Sequence, residues 1–161
     1  MEPVLAWLEA SALGHAIRNS GVWTYAILNL THILGISSLF GAVLALDLRL
    51  LGAWRSVPVG AIARPVLPIA TAGFFIAAGS GICMLATNGT EYIGNPFLPF
   101  KFGFIGLGLI NVVVVNQLQA WKQRDAGPPT VRGARQLAVV GGVSLVCWLA
   151  AVTCGRMIGY W

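Results

Sequence analysis

Residues 22–46 read VWTYAILNLTHILGISSLFGAVLAL, a stretch without a single Asp, Glu, Lys or Arg and with one imidazole, His32, buried in its middle. About 20 apolar residues in a helix cross the roughly 30 Å of hydrocarbon in a bilayer. A backbone in lipid must also satisfy its own amides, which a helix does within itself. This segment is therefore predicted to span a membrane. Residues 65–90, 102–121 and 136–155 are equally free of formal charge. The sequence predicts an all-α fold: an integral membrane four-helix bundle with spans at about 22–46, 65–87, 100–121 and 135–157, preceded by a short N-terminal interfacial amphipathic helix over 3–17.

The composition agrees. Of 161 residues, 57% are apolar and only 9% charged, and the mean hydropathy is +0.80, whereas soluble domains carry about 25% charged residues. The spans leave brief connections, so residues 1–161 are read as one domain with no room for a soluble catalytic unit.

Local signals mark the boundaries. Val4, Leu5, Leu8, Ala12 and Ile17 follow helical spacing opposite Glu9, with Trp7 suited to the headgroup boundary. Asn19, Ser20 and Gly21 then break the pattern and can cap the first span. Pro65 is expected to open the second span, and Pro128 and Pro129 to separate the third from the fourth. Tyr160 and Trp161 form an aromatic anchor at the end.

Charge sets the expected orientation. Arg49, Arg55, Arg64, Lys122, Arg124, Arg132 and Arg135 flank the loops after spans one and three, while Arg18, Lys101 and Arg156 lie at the other boundary. Excess bases mark cytoplasmic loops. The expectation is a multi-pass protein of a bacterial inner (cytoplasmic) membrane with both termini periplasmic. The bases are read as topology signals facing the lipid bilayer and not as nucleic-acid contacts.

His32 is the leading candidate for chemistry, because it lies about eleven residues into the first span, where an ionisable group is costly. Tyr25, Asn29, His32, Gly35 and Leu39 share one helical face and are expected to point a polar strip into the bundle. In the plain reading, neutral His32 bonds Asn29, Asn111 or a serine on a neighbouring helix and holds the helices together. In the sharper reading it is an axial ligand to haem b or a ligand to copper. Met84, Met157, Cys83 and Cys154 fall in the same outer half, where soft sulfur beside an imidazole suits Cu(I). Lys101, Arg156 and Arg18, with His15 nearby, sit at that boundary, where they are placed to hold haem propionates, a quinone head or lipid phosphates, or to snorkel to headgroups.

Other features have structural readings. Asp47, at the inner end of span one, has Arg64 as its candidate partner. Cys83, Cys147 and Cys154 all lie within spans, as small apolar residues do. Small residues such as Gly35, Gly73, Ala77, Gly81, Gly103 and Gly141 permit close helix approach, and their abundance allows a homo-oligomer or a membrane-complex partner. No nucleophile elbow, Walker loop, zinc-protease motif or pair of intramembrane carboxylates is present, which argues against hydrolase, ATPase and proton-driven transport functions.

Thr31-His32-Ile33-Leu34-Gly35, Gly41 and Asp47-Leu48-Arg49-Leu50-Leu51-Gly52, with Phe97-Leu98-Pro99-Phe100-Lys101, resemble a group of small uncharacterised bacterial four-helix integral membrane proteins. More distantly, His32 and Lys101 are similar to the first-span histidine and later lysine of the copper-resistance D membrane proteins and the haem-containing protoporphyrinogen oxidase of bacteria. Asn111 stands where the oxidase-like pattern has a second histidine.

The functional expectation is a polar pocket around His32 in the outer half of the bilayer, binding haem b or quinone for electron transfer. The alternatives are a non-catalytic anchor or accessory subunit of a larger complex with no cofactor, and copper handling.

Overall fold

The computed structural model describes residues 1–161 and is all-helical. Helices α1 (Glu2–Glu9) and α2 (Ala12–Asn19) precede α3 (Val22–Leu50) and α4 (Val59–Asn88). A 3-10 turn, Gly89–Tyr92, leads to α5 (Phe97–Gln117), the single turn α6 (Gln119–Lys122) and α7 (Val131–Ile158). Four of these, α3, α4, α5 and α7, are long and apolar enough to cross a membrane, which fits a multi-pass membrane protein. Their outer surfaces carry Ile27, Leu30, Phe75, Ile82, Val113, Val146 and Leu149 in exposed positions, the distribution expected where lipid is the solvent.

The core is built on small residues. On α3, Gly35, Leu39, Ala42 and Leu46 are buried, and α4 answers with Ala63, Ala70, Gly73, Ala77 and Ser80. Both sets recur at three-, four- and seven-residue steps, so each keeps one stripe turned to the other helix. A Cβ added to Gly73 would stand 2.6 Å from the backbone nitrogen of Leu39, and one on Gly35 would stand 2.7 Å from that of Ala77. The two backbones therefore touch, as small-residue interfaces allow in membranes.

Helix α3 packs against α4 on one side and α7 on the other, and α5 packs on α7. Phe74 of α4 meets Trp148 of α7 edge to face at 6.3 Å, closing the middle of the bundle. The backbones of α4 and α5 do not approach one another as these neighbours do. Asn111, buried on α5, donates its amide to the Val140 carbonyl at 2.9 Å and ties α5 to α7.

Several boundaries differ from expectation. The N-terminal segment is two helices, because the Ser11 hydroxyl accepts from the Gly14 N–H at 3.3 Å and caps a new start. Helix α4 begins at Val59, so Pro65 and Pro68 lie inside it. Each withholds one N–H from the helical ladder, which packed membrane helices tolerate. The third span divides at Leu118, whose backbone is extended, and the turn beyond it buries Trp121 against Leu46, Leu50, Val59, Ala63 and Leu137. Helix α7 begins at Val131, where Thr130 caps it by accepting from the Gly133 N–H at 3.2 Å.

The N-terminal pair does not lie free on a surface. Leu5 is buried against Gly89. The Glu9 carboxylate accepts from the Thr90 N–H at 2.6 Å. Arg18 donates to the carbonyls of Ala86 and Thr87, at 3.2 and 3.1 Å, and to that of Glu9 at 2.9 Å. A guanidinium thus caps the C-terminal end of α4, where the helix dipole favours a cation.

Candidate functional site

His32 sits on the α3 and α4 seam, half-buried. Its Nδ1 lies 2.8 Å from the Ala77 carbonyl oxygen and 3.1 Å from the Ser80 hydroxyl. A carbonyl only accepts, so Nδ1 carries the proton in this arrangement. Ser80 spends its own proton on the Ile76 carbonyl at 2.6 Å and turns a lone pair toward the imidazole. In the neutral ring Nε2 is then the bare nitrogen, and no protein group bonds it. Of the partners open to His32 in the sequence, the fold selects the serine.

Gly81 makes room for the ring: a Cβ there would approach His32 Cε1 to 3.0 Å. From α5, Lys101 reaches into the same half of the bundle. Its ammonium lies against Gly155 of α7, where an added Cβ would stand 3.2 Å from Nζ, with the Cys154 thiol close by. It makes no hydrogen bond or ion pair to the protein. The outer half of the bundle thus presents one unbonded imidazole nitrogen and one unpaired ammonium, both half-buried.

The other residues singled out in the sequence have different surroundings. Asn29 is exposed, so the polar strip reduces to His32 with Tyr25, whose hydroxyl stands beside Tyr92. The reason is rotation: His32 and Gly35 hold the line toward α4, which turns Asn29 outward. Asn111 lies ten residues beyond Lys101 on α5, about 15 Å along the axis at 1.5 Å per residue, and serves the α7 contact. Arg18 is taken up by the end of α4, with His15 Nδ1 at 3.4 Å and exposed. Arg156 is exposed, stacks over the Tyr160 ring at 4.6 Å and bonds the Tyr160 hydroxyl.

Cys83, Met84 and Cys154 are half-buried and Met157 is 40% exposed. No three His, Cys, Asp or Glu side chains gather into a ligating group.

The expected pairing of Asp47 with Arg64 does not form. Arg64 pairs with Asp125 at 3.3 Å instead, because α4 starts before Pro65 and carries Arg64 toward the loop after α6. Asp47 is 3% exposed, turned toward Ser144 of α7, and its Oδ2 has no partner. Gly81 belongs to the small residues expected to permit close approach, whereas Ser80 is the site residue hardest to see in the sequence; its only signal is the seven-residue spacing of Gly73 and Ser80 along the small stripe of α4.

No known protein family, curated protein or solved structure matches this chain.

Proposed function

We propose that this protein is a small electron-transfer component of a bacterial inner membrane, its His32 half facing the periplasm, and that His32 would hold a haem b through Nε2. The observation that carries this reading is the held imidazole. Ligand histidines donate their second ring N–H to a carbonyl or carboxylate, which fixes the tautomer and aims the free nitrogen. His32 does this through Ala77. A haem bound there supplies one-electron chemistry. Lys101, unpaired and in the same half of the bundle, would offer its ammonium to an anionic edge of the ligand. The distant likeness to haem-containing membrane proteins at His32 and Lys101 points the same way.

Quinol is a second reading, favoured by the separation of α4 and α5. His32 and Lys101 are half-buried on a side reachable from lipid, and a quinol hydroxyl donates well to a bare imidazole nitrogen.

The test is the absorption spectrum of protein purified in mild detergent, with its lipid extract assayed for quinone. A Soret band that disappears in His32→Ala supports haem ligation. A colourless protein whose retained quinone depends on His32 supports the second reading. A colourless protein without quinone overturns both.

A further inference from the structure

The opposite end of the bundle holds a second feature, independent of His32. The loop Leu51–Pro58 after α3 and the stretch from α6 to α7 line an open cavity of about 640 Å³, within the range that small ligands occupy. Three guanidiniums line it, Arg49, Arg55 and Arg124, with a single acid, Asp125.

That acid is already engaged. Asp125 pairs with Arg64 at 3.3 Å. Its Oδ1 also lies over the first turn of α4, so close that a Cβ on Gly60 would overlap it at 1.8 Å. A carboxylate there is favoured by the positive end of the helix.

The three arginines have no such anion. Each is fixed along one edge by the backbone: Arg49 Nε donates to the Val57 carbonyl at 2.6 Å, Arg55 Nε to that of Gly52 at 3.4 Å, and Arg124 Nη1 to that of Trp121 at 2.9 Å. Arg124 is further held by stacking on the Trp121 ring at 4.6 Å, and its Nε is buried without an acceptor. Guanidiniums oriented by carbonyls, with their remaining N–H groups unmet, form a fork for a tetrahedral oxyanion. The loop that carries Arg55, and whose Val57 carbonyl holds Arg49, is tightly wound: Gly52 has φ 109° and Trp54 φ 47°, a left-handed conformation that costs a non-glycine residue about 1 kcal/mol or more. Such strain persists only where the surrounding structure enforces it.

We infer that this cavity binds a phosphate group through Arg49, Arg55 and Arg124. The phosphate belongs either to an anionic lipid headgroup entering from the bilayer edge or to a free phosphate from the adjoining aqueous phase. Basic pockets at the headgroup level of membrane helices take lipid phosphates in this way.

The full chain is delipidated in detergent and challenged separately with phosphatidylglycerol, phosphatidylcholine and inorganic phosphate. Bound lipid is counted by native mass spectrometry, and protection is read from the thermal midpoint. Retention of phosphatidylglycerol over phosphatidylcholine, with a raised midpoint, identifies the lipid source. Protection by inorganic phosphate without lipid preference identifies the free source. Arg55→Gln, whose side chain is exposed and held by one long backbone bond, should fold normally and weaken binding about tenfold. Arg49→Gln with Arg55→Gln should abolish it. Arg132→Gln with Arg135→Gln removes the same charge outside the cavity and should leave binding intact. The inference is overturned if neither phosphatidylglycerol nor phosphate binds, or if the outside pair weakens binding as much as the cavity pair.

Discussion

His32 Nδ1 reaches the Ala77 carbonyl at 2.8 Å only because Gly35, one turn along α3, lets the Ala77 backbone come within 2.7 Å of where its Cβ would stand. The orientation of the imidazole and the tightness of the seam are one structural fact. Whatever parts α3 from α4 should also release His32.

Gly35→Ala inserts a methyl against backbone that has no room to yield. Overpacking of this kind costs about 1–3 kcal/mol. Thermal unfolding in detergent should show a midpoint lowered by several degrees, about 2 kcal/mol, together with loss of any ligand band that depends on His32. Gly41→Ala, on the same helix with nothing within 4 Å of the new methyl, should leave both unchanged. Equal effects from the two would remove the seam from the explanation.

Asp47 predicts a gain. Its carboxylate is 3% exposed with Oδ2 unbonded, and an isolated buried charge opposes folding. Asp47→Asn keeps the shape and removes the charge, so the unfolding midpoint should rise, by about 1 kcal/mol. A fall would mean that the carboxylate holds a cation or a proton the fold depends on.

Docking of the N-terminal helices should weaken in acid. The Thr90 N–H, donating to the exposed Glu9 carboxylate, holds its pKa below the usual carboxylate value, with a smaller contribution from Arg18. A lowered folded-state pKa means that the contribution is present above the unfolded value of about 4.3 and is lost as pH falls through the folded one. Protection of the α1 amides, read as the exchange rate relative to the intrinsic rate at each pH, should be high at neutral pH and fall below that range. Glu9→Gln should remove the pH dependence. Arg18→Ala, which releases three carbonyls, should speed exchange at all pH values, by about tenfold.

Arg55 and Arg124 line one cavity and so belong to one face of the membrane. Single cysteines replacing Arg55 or Arg124 in a cysteine-free background should react together with a membrane-impermeant maleimide. Glu2→Cys should react from the opposite side. In intact cells the outside reagent should reach Glu2→Cys alone; labelling of Arg55→Cys and Arg124→Cys on different faces would contradict the arrangement.

The four long helices were legible in the chain itself, because charge-free length against hydrocarbon thickness is a one-dimensional property that needs no partner. The position of His32 in the middle of a charge-free run, and the small residues Gly35, Gly73 and Ala77 where α3 meets α4, could be read for the same reason. Boundaries were less legible at Pro65 and Leu118: a proline marks where helical bonding weakens, but whether the helix stops depends on packing such as that around Ala63 and Trp121. The partners were not legible at all. Asn29 and His32 lie three residues apart and share a face in projection, and only the rotation of α3 against α4 separates the exposed amide from the bonded imidazole. Asp47 and Arg64 likewise suggest a pair until the helices are assembled and Asp125 proves nearer. Sequence thus established which segments are long and apolar enough to cross a membrane, while tertiary contact alone decided the partners of Arg18, Arg64 and His32, because those partners lie on other elements of the fold and are brought together only by packing.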